Sequence, residues 1–392
     1  MRLLLITTHT LPLLAGAPRV YDALARAFDG DMSVLTAKSD YLNGNTAIAG
    51  AAVYDAAAPY PITRIKTMTT SLDTKGSWLQ SLSRGIDIIS AIRKQVRKDK
   101  SDAFIIGSAH RLGWLVPVLK TLFQKPVFLY LHGEEVQTQL MRGLDRRFDY
   151  ARQADGVFVV SRFTAKLAHD MGFTRHQICL VPNAVDNSLV ELAPHGRDWR
   201  QELGISADVP LVVSVGRFIE RKGFDRLIEA WVDVEKELPE AYLILLGGGE
   251  LKPKLVAHIA EANLAHVAIF EQVPDPDLAS LYQAADVFVL ANRTLDDGDT
   301  EGFGLVFLEA GLFGVPSIGG AAGGVPDAII DGETGLLVDA EKPENVSAAL
   351  LDFLKNGGKR NRMGLAAKEH AEMQRWNDKA QQVRAFIRGF LR

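Results

Sequence analysis

Cysteine is almost absent from the chain: Cys179 is the only one among 392 residues. A single cysteine excludes an internal disulfide and leaves no set of thiolates that could hold a metal cluster. Because Cys179 lies inside the apolar run from Ile178 to Val181, we predict that it fills space in a core.

Long hydrophobic runs are also missing. No segment reaches the ~20 consecutive apolar residues that a membrane-spanning helix needs. The chain runs from Met1 directly into the strand-like segment Leu3–Ile6, without the layout of a signal peptide. These absences predict a cytoplasmic protein, which could still associate peripherally with the inner face of a membrane.

A third absence is the GxGxxG loop that binds nicotinamide dinucleotides. The loop after the first predicted strand instead reads Leu14-Ala15-Gly16-Ala17-Pro18, whose amides would face a phosphate at the start of a helix. The segment Thr36-Ala37-Lys38, at the end of the second strand, supplies no acidic residue for a ribose. The sequence therefore argues against a nicotinamide-dependent dehydrogenase.

The charges are distributed unevenly between the two halves of the chain. Residues 1–185 contain 23 lysines and arginines against 15 aspartates and glutamates, a net charge of +8. The remaining residues contain 21 against 33, a net charge of −12. The positive half indicates an acidic partner, either an anionic membrane surface or an acidic acceptor, whereas the acidic total argues against nucleic acid.

Both halves alternate short apolar runs with longer segments of helical period. This alternation is typical of strand–helix–strand units whose parallel sheets are buried on both faces, and it predicts an α/β architecture in each half. The predicted strands are Leu3–Thr7, Ser33–Thr36, Ala103–Gly107, Val127–Leu131, Gly156–Val160, Ile178–Val181, Leu211–Val215, Tyr242–Leu246, Val267–Phe270, Val287–Leu290, Pro316–Ile318 and Leu336–Val338.

The segment from Pro182 to Pro210 lacks a strong apolar strand and contains helix-breaking residues. We therefore place a domain boundary near residue 190, which gives an N-terminal domain of residues 1–190 and a C-terminal domain of residues 191–375. The last segment, 376–392, has helical period and could pack on either domain.

The most distinctive local feature is the segment Glu301-Gly302-Phe303-Gly304-Leu305, which opens an apolar helix that contains Glu309. The glycines let a ligand approach the backbone, and the helix start directs free amides outward. Because eight helical residues rise ~12 Å, the two glutamates could bind hydroxyls at separate parts of an elongated ligand such as a nucleotide sugar. The alternative is that Glu301 only complements the helix dipole and that Glu309 is unrelated to it. A carboxylate buried in an apolar helix needs a partner, which favours the ligand.

A second polar loop, Gly216 to Gly223, follows the first strand of the C-terminal domain. Arg217 and Lys222 could bind a diphosphate and neutralise it as the leaving group, although the spacing alone would equally fit a solvated loop. The glycines of the segment 247–249 could lie against a nucleobase or simply form a turn. The glycine-rich segment 319–326 could be a further anion site or simply a flexible turn.

Two other features concern a histidine and a group of acidic residues. His132 ends the fourth predicted strand and could reach an inter-domain site, although a structural histidine is the alternative. Asp296, Asp297 and Asp299 resemble a metal-binding DxD motif, but they lie in a loop beside Glu301 rather than after a strand. We therefore predict a site without a metal, in which arginine and lysine replace the cation.

The predicted helix Ser81–Lys100 carries six lysines and arginines against two aspartates, together with an apolar stripe. Such a helix could lie on an anionic membrane. The alternative is a surface helix that packs on the sheet and keeps its charges solvated. Arg111, Trp114 and Lys120 lie nearby in sequence and are compatible with a membrane surface.

Together these motifs resemble those of the retaining glycosyltransferases of family 4, over nearly the whole chain. Glu301 to Glu309 resembles the family's E-x7-E motif, Gly216 to Gly223 its phosphate-binding motif, and the segment 182–186 its P-N-G-V-D motif. The resemblance implies the GT-B fold, in which two Rossmann-like domains with parallel sheets face each other across a deep cleft. The acidic segment 297–301 is most similar to bacterial mannosyltransferases that act on phosphatidylinositol.

The resemblance also implies roles for individual residues. Glu301 would contact the donor sugar, Glu309 the ribose, and the pair Arg217 and Lys222 the diphosphate. The N-terminal domain would bind the acceptor and contribute Gly16 and His132, and the last helix would cross back to it. The implied catalytic residues are His132, Arg217, Lys222 and Glu301, and the implied donor-binding residues are Gly16, Gly216, Arg217, Lys222, Gly248, Val273, Glu301, Gly302, Phe303, Gly304, Leu305 and Glu309.

The resemblance implies transfer of a hexose, such as mannose or glucose, from a UDP- or GDP-sugar to a glycan or lipid-linked acceptor of the cell envelope. The transfer would retain the anomeric configuration and need neither a metal nor another cofactor. Two departures from the family pattern are Ala15, where the family's first loop usually has glycine, and Gln272, near a usual glycine. Alternative functions are a sugar-nucleotide epimerase or phosphorylase of the same fold, or a nucleotide-sugar-binding scaffold without activity.

Overall fold

A computed structural model of the protein describes residues 1–13, 16–40, 46–69, 78–133 and 146–391. Leu14 and Ala15 of the first loop lie outside the described residues. The chain divides into two compact units. The N-terminal unit comprises residues 1–183 and 376–392, and the C-terminal unit comprises residues 184–375.

The N-terminal unit contains a seven-stranded parallel sheet in the order β5-β2-β1-β6-β7-β8-β9 and a small antiparallel pair, β3-β4. Its strands are β1 (Leu3–Ile6), β2 (Met32–Ala37), β3 (Ser39–Asp40), β4 (Thr46–Ala47), β5 (Ile62–Ile65), β6 (Ala103–Ile106), β7 (Val127–Leu131), β8 (Gly156–Val159) and β9 (Ile178–Leu180). Its described α-helices are Gly16–Ala27, Ala51–Ala57, Trp78–Asp99, Ala109–Leu112, Leu115–Phe123, Arg146–Ala151, Arg162–Asp170 and Trp376–Arg388.

The C-terminal unit contains a six-stranded parallel sheet in the order β12-β11-β10-β13-β14-β15. Its strands are β10 (Leu211–Val215), β11 (Tyr242–Leu246), β12 (Val267–Phe270), β13 (Val287–Leu290), β14 (Ser317–Gly320) and β15 (Gly335–Val338). Its α-helices are Ser188–Leu192, Trp199–Leu203, Phe224–Glu237, Lys252–Glu261, Asp275–Ala284, Leu305–Leu312, Pro343–Lys355 and Gly357–Met373.

The predicted α/β architecture and all twelve predicted strands are confirmed, with ends that differ by a residue or two. The central strands are continuous apolar runs, such as β7, because helices cover both faces of a parallel sheet. The sequence did not indicate β5, which reads Ile-Thr-Arg-Ile, is only half-buried, and forms the edge of its sheet. Cys179 is buried on β9, as predicted for a core residue.

The units divide at Asn183 and Ala184, seven residues before the boundary placed at residue 190. The helix Ser188–Leu192 spans the predicted boundary, and it packs against the helix Asp275–Ala284 of the C-terminal unit. Leu189 of this short helix is buried. Leu189 therefore assigns this helix to the C-terminal unit. The sequence analysis relied on the absence of a strand in this segment, and that absence gives no information about the contacts of Leu189.

The last helix, Trp376–Arg388, belongs to the N-terminal unit. The ring centroid of Phe386 lies 6.0 Å from that of Phe128 and 5.5 Å from that of Phe158. A Cβ atom at Gly156 would approach the ring of Phe386 to 2.8 Å, so the glycine leaves the space that the ring fills. Val383 is fully buried in the same interface. The aromatic contacts therefore attach a segment distant in sequence to strands β7 and β8.

Among the described residues, no helix combines the length and the apolar composition needed to cross a bilayer.

Candidate active site

The sheet order places a ligand-binding edge in the C-terminal unit. From β10 the chain continues to β11 on one side, whereas β13 pairs with the other side of β10. In open parallel sheets, ligands bind at the carboxyl ends of the strands where the order reverses in this way. The loops after β10 and β13 carry the segments Gly216–Gly223 and Asn292–Gly304. Both sequence motifs of this domain are thus brought to one point.

Glycines let these loops pack backbone against backbone. A Cβ atom at Gly223 would lie 1.8 Å from the carbonyl oxygen of Ala291, and one at Gly320 would lie 1.8 Å from that of Asn292. Such distances are impossible for a real side chain, so the positions require glycine. The loops after β10, β13 and β14 therefore form one packed support for the site.

Replacement of Gly223 by alanine should cost more stability than the same change at Gly204. Both residues have left-handed backbone, with φ of 67° and 65°, so alanine adds about 1 to 2 kcal/mol of strain at each. A Cβ atom at Gly204 meets nothing within 4 Å, whereas at Gly223 it collides with Ala291. Urea unfolding measures the loss of stability in each variant, and the difference between the two losses is the cost of the collision with Ala291. Equal losses of stability would mean that the two loops are not held together as described.

Glu301 is the centre of a charged cluster at this edge. The Lys222 Nζ atom lies 2.5 Å from its Oε2 atom, and an Arg221 guanidinium nitrogen lies 3.2 Å from the same oxygen. Asn292 donates a third hydrogen bond through its Nδ2 atom at 3.3 Å. The side chain of Glu301 is 13% exposed. The cluster therefore combines a nearly buried carboxylate with two cations and an amide.

The charges set the protonation state of Glu301. Burial, the largest single influence, would raise the pKa of this carboxyl group, but the charges of Lys222 and Arg221 oppose it. The hydrogen bond from Lys222 and the charge of Arg217 act in the same direction, and the pKa falls to about 2. Glu301 is thus an anion at neutral pH, able to accept hydrogen bonds from sugar hydroxyls.

Asp299 pairs with Arg221 instead of facing an open site. Its Oδ1 atom lies 3.2 Å from the Nε atom of Arg221, and the Arg221 side chain is only 5% exposed. The Asp297 carboxylate accepts a hydrogen bond from the backbone amide of Asp299 at 3.1 Å. The acidic loop therefore stabilises the arginine that contacts Glu301.

Glu309 lies in the helix Leu305–Leu312 and is 6% exposed. The hydroxyl group of Tyr282 donates a hydrogen bond to its Oε2 atom at 2.9 Å. The partner that a buried carboxylate requires is therefore present. Gly304, with φ of 93°, precedes the helix, and Gly302 and Phe303 are buried beside it.

The remaining predicted residues of this unit lie in loops at the same edge of the sheet. Gly216 and the exposed Arg217 follow β10, the exposed Gly248 follows β11, and the half-buried Val273 follows β12. Leu305 begins the helix after β13. A Cβ atom at Gly248 would meet nothing within 4 Å, so this glycine borders open space.

The glycine-rich segment 319–326, for which the sequence left a flexible turn and an anion site open, uses several of its backbone amides within the fold. The backbone amides of Ala321, Ala322, Gly324 and Val325 donate hydrogen bonds to backbone carbonyls. The amide of Gly324 binds the carbonyl oxygen of Glu301 at 2.7 Å. The segment therefore holds the backbone of Glu301 in place, and these four amides are already used.

In the N-terminal unit, the order reverses between β1 and β6, and polar residues follow these strands. The hydroxyl oxygen of Ser108 lies 3.2 Å from that of Thr7 and 2.9 Å from that of Thr8. Gly16 is exposed at the start of the helix Gly16–Ala27, which follows β1. The sheet edge of this unit therefore combines a largely buried network of hydroxyl groups with an exposed helix N-terminus.

His132 follows β7, next to β6 in the sheet. Its ring stacks on Tyr130, with centroids 5.2 Å apart, and meets the edge of Tyr21 at 5.1 Å. The hydroxyl group of Tyr21 donates a short hydrogen bond to the carbonyl oxygen of Gly107. Burial lowers the pKa of His132 to about 4. The imidazole is therefore neutral at pH 7 and can donate a hydrogen bond without carrying charge.

The lowered pKa of His132 predicts a pH-dependent stability. As the pH falls below 6.5, the unfolded chain binds a proton that the folded ring excludes, so the free energy of unfolding decreases. His132→Phe should remove this contribution, which amounts to about 2 kcal/mol between pH 7.5 and pH 5. Urea unfolding of both proteins at each pH measures it. If the wild type and His132→Phe differ in their free energy of unfolding by the same amount at both pH values, the lowered pKa is contradicted.

Three contacts of the site involve residues that the sequence analysis did not select: Arg221, Tyr282 and Asn292. Arg221 precedes Lys222 in the same polar loop and has the same charge, so the sequence could have indicated it as a second cation of the site. Asn292 lies two residues after β13, where a polar side chain at the end of a buried strand is informative. Tyr282 gave no signal, because nothing in its own helix indicates a contact with Glu309.

Two family models match the chain. The model "Glycosyltransferase Family 4" matches residues 49–189, and the model "Glycosyl transferases group 1" matches residues 196–370. The GDP-mannose-dependent alpha-(1-6)-phosphatidylinositol monomannoside mannosyltransferase of Mycolicibacterium smegmatis is 30% identical over 295 residues, which are 74% of this chain and 76% of that protein.

Another relative is the GDP-mannose-dependent monoacylated alpha-(1-6)-phosphatidylinositol monomannoside mannosyltransferase of Corynebacterium glutamicum. It is 27% identical over 286 residues, 72% of this chain and 74% of that protein. Among solved structures, Anabaena HepE in complex with UDP and glucose has a TM-score of 0.79 at 17% identity and covers 99% of this chain and 100% of its own. On these relationships, the chain belongs to glycosyltransferase family 4 and is a glycosyltransferase with the GT-B fold.

Proposed function

We propose that this glycosyltransferase moves mannose from GDP-mannose to a hydroxyl group of a lipid-linked glycan or glycolipid, with retention of configuration. The observation that carries the proposal is the anionic Glu301 held by Lys222 and Arg221 where the sheet order reverses. The relatives named as GDP-mannose-dependent support the choice of donor. Their names also support an acceptor of the phosphatidylinositol mannoside type.

The donor would lie along the loops of the C-terminal unit. Arg217 and Lys222 bind the diphosphate, Glu309 binds the ribose, and Glu301 binds hydroxyl groups of the sugar. The nucleobase of the donor lies toward the open space at Gly248 and the side chain of Val273. The backbone of residues 302–305 contacts the sugar and its phosphates. Gly16 and His132 stay predicted donor contacts on the resemblance to the family.

In the proposed reaction, the bond between the sugar's anomeric carbon and the diphosphate oxygen breaks first, and positive charge develops on the sugar. The acceptor oxygen then forms its bond to the same face of that carbon. The acceptor's proton passes to the departing phosphate oxygen, so no side chain has to act as the base. Lys222 and Arg217 stabilise the negative charge of the leaving diphosphate, and such preorganised charges are a major source of catalysis.

We propose that the reaction needs no metal or other cofactor. Lys222 and Arg217 supply positive charge where a metal would otherwise neutralise a diphosphate. The pairing of Asp299 with Arg221 supports a positioning role for this acidic loop. The protein would act in the cytoplasm, at the inner face of a membrane, with the positively charged helix of residues 81–100 as the contact.

Thermal unfolding with a panel of GDP-, UDP- and ADP-sugars, with and without EDTA, tests the donor and the cofactor proposals together. A ligand that binds only the folded protein raises the melting temperature, by mass action. We expect a selective increase with GDP-mannose that EDTA does not reduce. A response to another nucleotide alone, or to none, would contradict the donor assignment, and a shift abolished by EDTA would contradict the metal-free site.

Product analysis then separates transfer from the alternatives. With GDP-mannose and a lipid acceptor, NMR of the product should show an α-mannosyl linkage. An isomerised sugar nucleotide would instead indicate an epimerase, and formation of a sugar 1-phosphate with release of GDP, in a parallel reaction that contains inorganic phosphate, would indicate a phosphorylase. Donor binding with no product from any acceptor would support a binding scaffold.

A further inference from the structure

Arg293 lies in the loop after β13, and its side chain is only 7% exposed. Its two terminal nitrogen atoms each donate a hydrogen bond to a different carboxylate oxygen of Asp225, both at 2.9 Å. Glu220, which is 65% exposed, lies farther from Arg293, at 3.5 Å. Paired hydrogen bonds between a guanidinium group and a carboxylate are strong, and they fix the relative orientation of the two groups. Asp225 is therefore the principal partner of this buried arginine.

Asp225 is the second residue of the helix Phe224–Glu237, which directly follows the loop that carries Arg221 and Lys222. A carboxylate in the first turn of a helix also complements the helix dipole, but that role requires no arginine from another loop. The ion pair with Arg293 therefore attaches the start of this helix to the loop after β13.

The backbone of the same segment makes two further connections between the loops. The amide of Arg293 donates a hydrogen bond to the carbonyl oxygen of Arg221 at 2.9 Å. Gly223 lies so close to Ala291 that a Cβ atom on the glycine would be 1.8 Å from the alanine carbonyl oxygen. The loop after β10 is thus held by the segment 291–293 through its backbone as well as through the ion pair.

Lys222 stands in sequence between the residues that these contacts hold. Its side chain is 12% exposed, and its Nζ atom lies 2.5 Å from the Oε2 atom of Glu301. In enzymes, a displacement of about 1 Å caused by a remote substitution can lower the rate about 10²-fold. The contacts of Arg293 therefore determine where the charge of Lys222 is placed.

We propose that Arg293 is a positioning residue of the active site, which holds Lys222 against Glu301 through Asp225 and the carbonyl oxygen of Arg221. Its effect on catalysis rests on the proposed function, in which Lys222 stabilises the leaving diphosphate. Its effect on the contact between Lys222 and Glu301 does not depend on that function.

Urea unfolding tests the position of Lys222 without any ligand. The loss of stability caused by Lys222→Ala includes the loss of its contact with Glu301, so it depends on how well the loop is held. Arg293→Gln breaks the paired bonds, and in this background we expect the loss caused by Lys222→Ala to fall by at least half. Because substitutions that act independently have additive effects, an equal loss in both backgrounds would overturn the inference.

The matched background is Arg200→Gln. Arg200 is 19% exposed and pairs with Asp286 at 3.0 Å, so the same replacement breaks another arginine–aspartate pair of this unit. Asp286 immediately precedes β13, whereas Arg293 follows it, so the two pairs lie at opposite ends of the strand. Lys222→Ala should cost as much stability in this background as in the wild type. A loss that falls equally in both arginine variants would reflect general destabilisation and would overturn the specific role of Arg293.

Steady-state kinetics with GDP-mannose and a lipid acceptor measure the consequence for catalysis. Arg293→Gln should lower kcat at least tenfold, but less than twofold in a protein that already carries Lys222→Ala, because the arginine acts through the lysine. Arg293→Lys keeps the charge without the paired bonds and should recover only part of kcat. Asp225→Asn breaks the same pair and provides a second variant if Arg293→Gln does not fold. Equal reductions of kcat with and without Lys222 would contradict the positioning role.

The two experiments separate this inference from the proposed function. If the wild type does not use GDP-mannose but the loss caused by Lys222→Ala still falls in the Arg293→Gln background, the proposed function fails and the positioning of Lys222 stands. If the wild type uses GDP-mannose and the two losses of stability are equal, the role of Arg293 alone is rejected.

Discussion

Lys222→Ala should lower kcat by about 10²- to 10³-fold, the range observed when one preorganised donor to a developing negative charge is removed. The side chain is 12% exposed and its Nζ atom lies 2.5 Å from the Oε2 atom of Glu301. Because the lysine contacts a residue proposed to bind the sugar, its loss affects two parts of the donor site. Steady-state kinetics with GDP-mannose and a lipid acceptor measure the effect.

The control for this variant is Lys252→Ala, which removes a lysine paired with Glu271 at the surface of the same unit. Its kcat should match that of the wild type. Lys222→Arg keeps the charge and should recover part of the lost activity. Turnover near the wild-type level in Lys222→Ala would exclude the proposed role in the departure of the diphosphate.

Lys222→Ala should also change the acid stability of the protein. The pKa of Glu301 lies near 2 when folded, below its ordinary value of 4.5, so the pairing stabilises the fold above pH 4.5. That stabilisation is lost as the pH falls from 4.5 toward 2. Without the lysine charge the pKa of Glu301 should rise. The free energy of unfolding of Lys222→Ala should therefore fall less between pH 4.5 and pH 2 than that of the wild type.

Ile387→Ala should lower the free energy of unfolding of the N-terminal unit by about 2 to 5 kcal/mol, the usual cost of truncating a buried isoleucine. Ile387 is fully buried in the last helix. The matched control is Arg388→Ala at the exposed neighbouring position, where we expect a change within about 0.5 kcal/mol. Urea unfolding followed by tryptophan fluorescence measures both.

Hydrogen exchange locates the effect of Ile387→Ala. The amides of β7 and β8 should exchange faster, because the last helix packs on the aromatic side chains of these strands. The amides of β10 and β11 should keep their protection. A uniform loss of protection across both units would contradict the assignment of this helix to the N-terminal unit.

The architecture could be predicted from the sequence because it depends on local patterns. Buried parallel strands need continuous apolar runs, and twelve such runs are visible. The sequence analysis did not predict the strand β5, because Thr63 and Arg64 interrupt its apolar pattern. An edge strand can carry such polar residues, since it is less completely buried than the central strands. Arg64 makes a paired contact with Asp55 and donates a hydrogen bond to the carbonyl oxygen of Leu11. Its polarity reflects those partners rather than a loop.

The site was predictable as a set of loops but not as a set of contacts. Glycines and polar residues after strands indicated Lys222 and Glu301 separately. Their pairing joins residues 79 positions apart, and only the adjacency of β10 and β13 brings them together. For the same reason the sequence left an anion site open in the segment 319–326, where four amides bind backbone carbonyls and the amide of Gly324 holds Glu301.

The backbone contacts at Gly223 and Gly320 set limits on how the donor preference of this chain can change. In a library of variants, nearly every member with another residue at position 223 or 320 should fail to fold. The reason is that its Cβ atom would lie 1.8 Å from a carbonyl oxygen. Gly248 has no such neighbour, and Val273 is half-buried in a loop. Selection for a new nucleobase should therefore accumulate changes at residues 248 and 273 and leave the supporting glycines untouched.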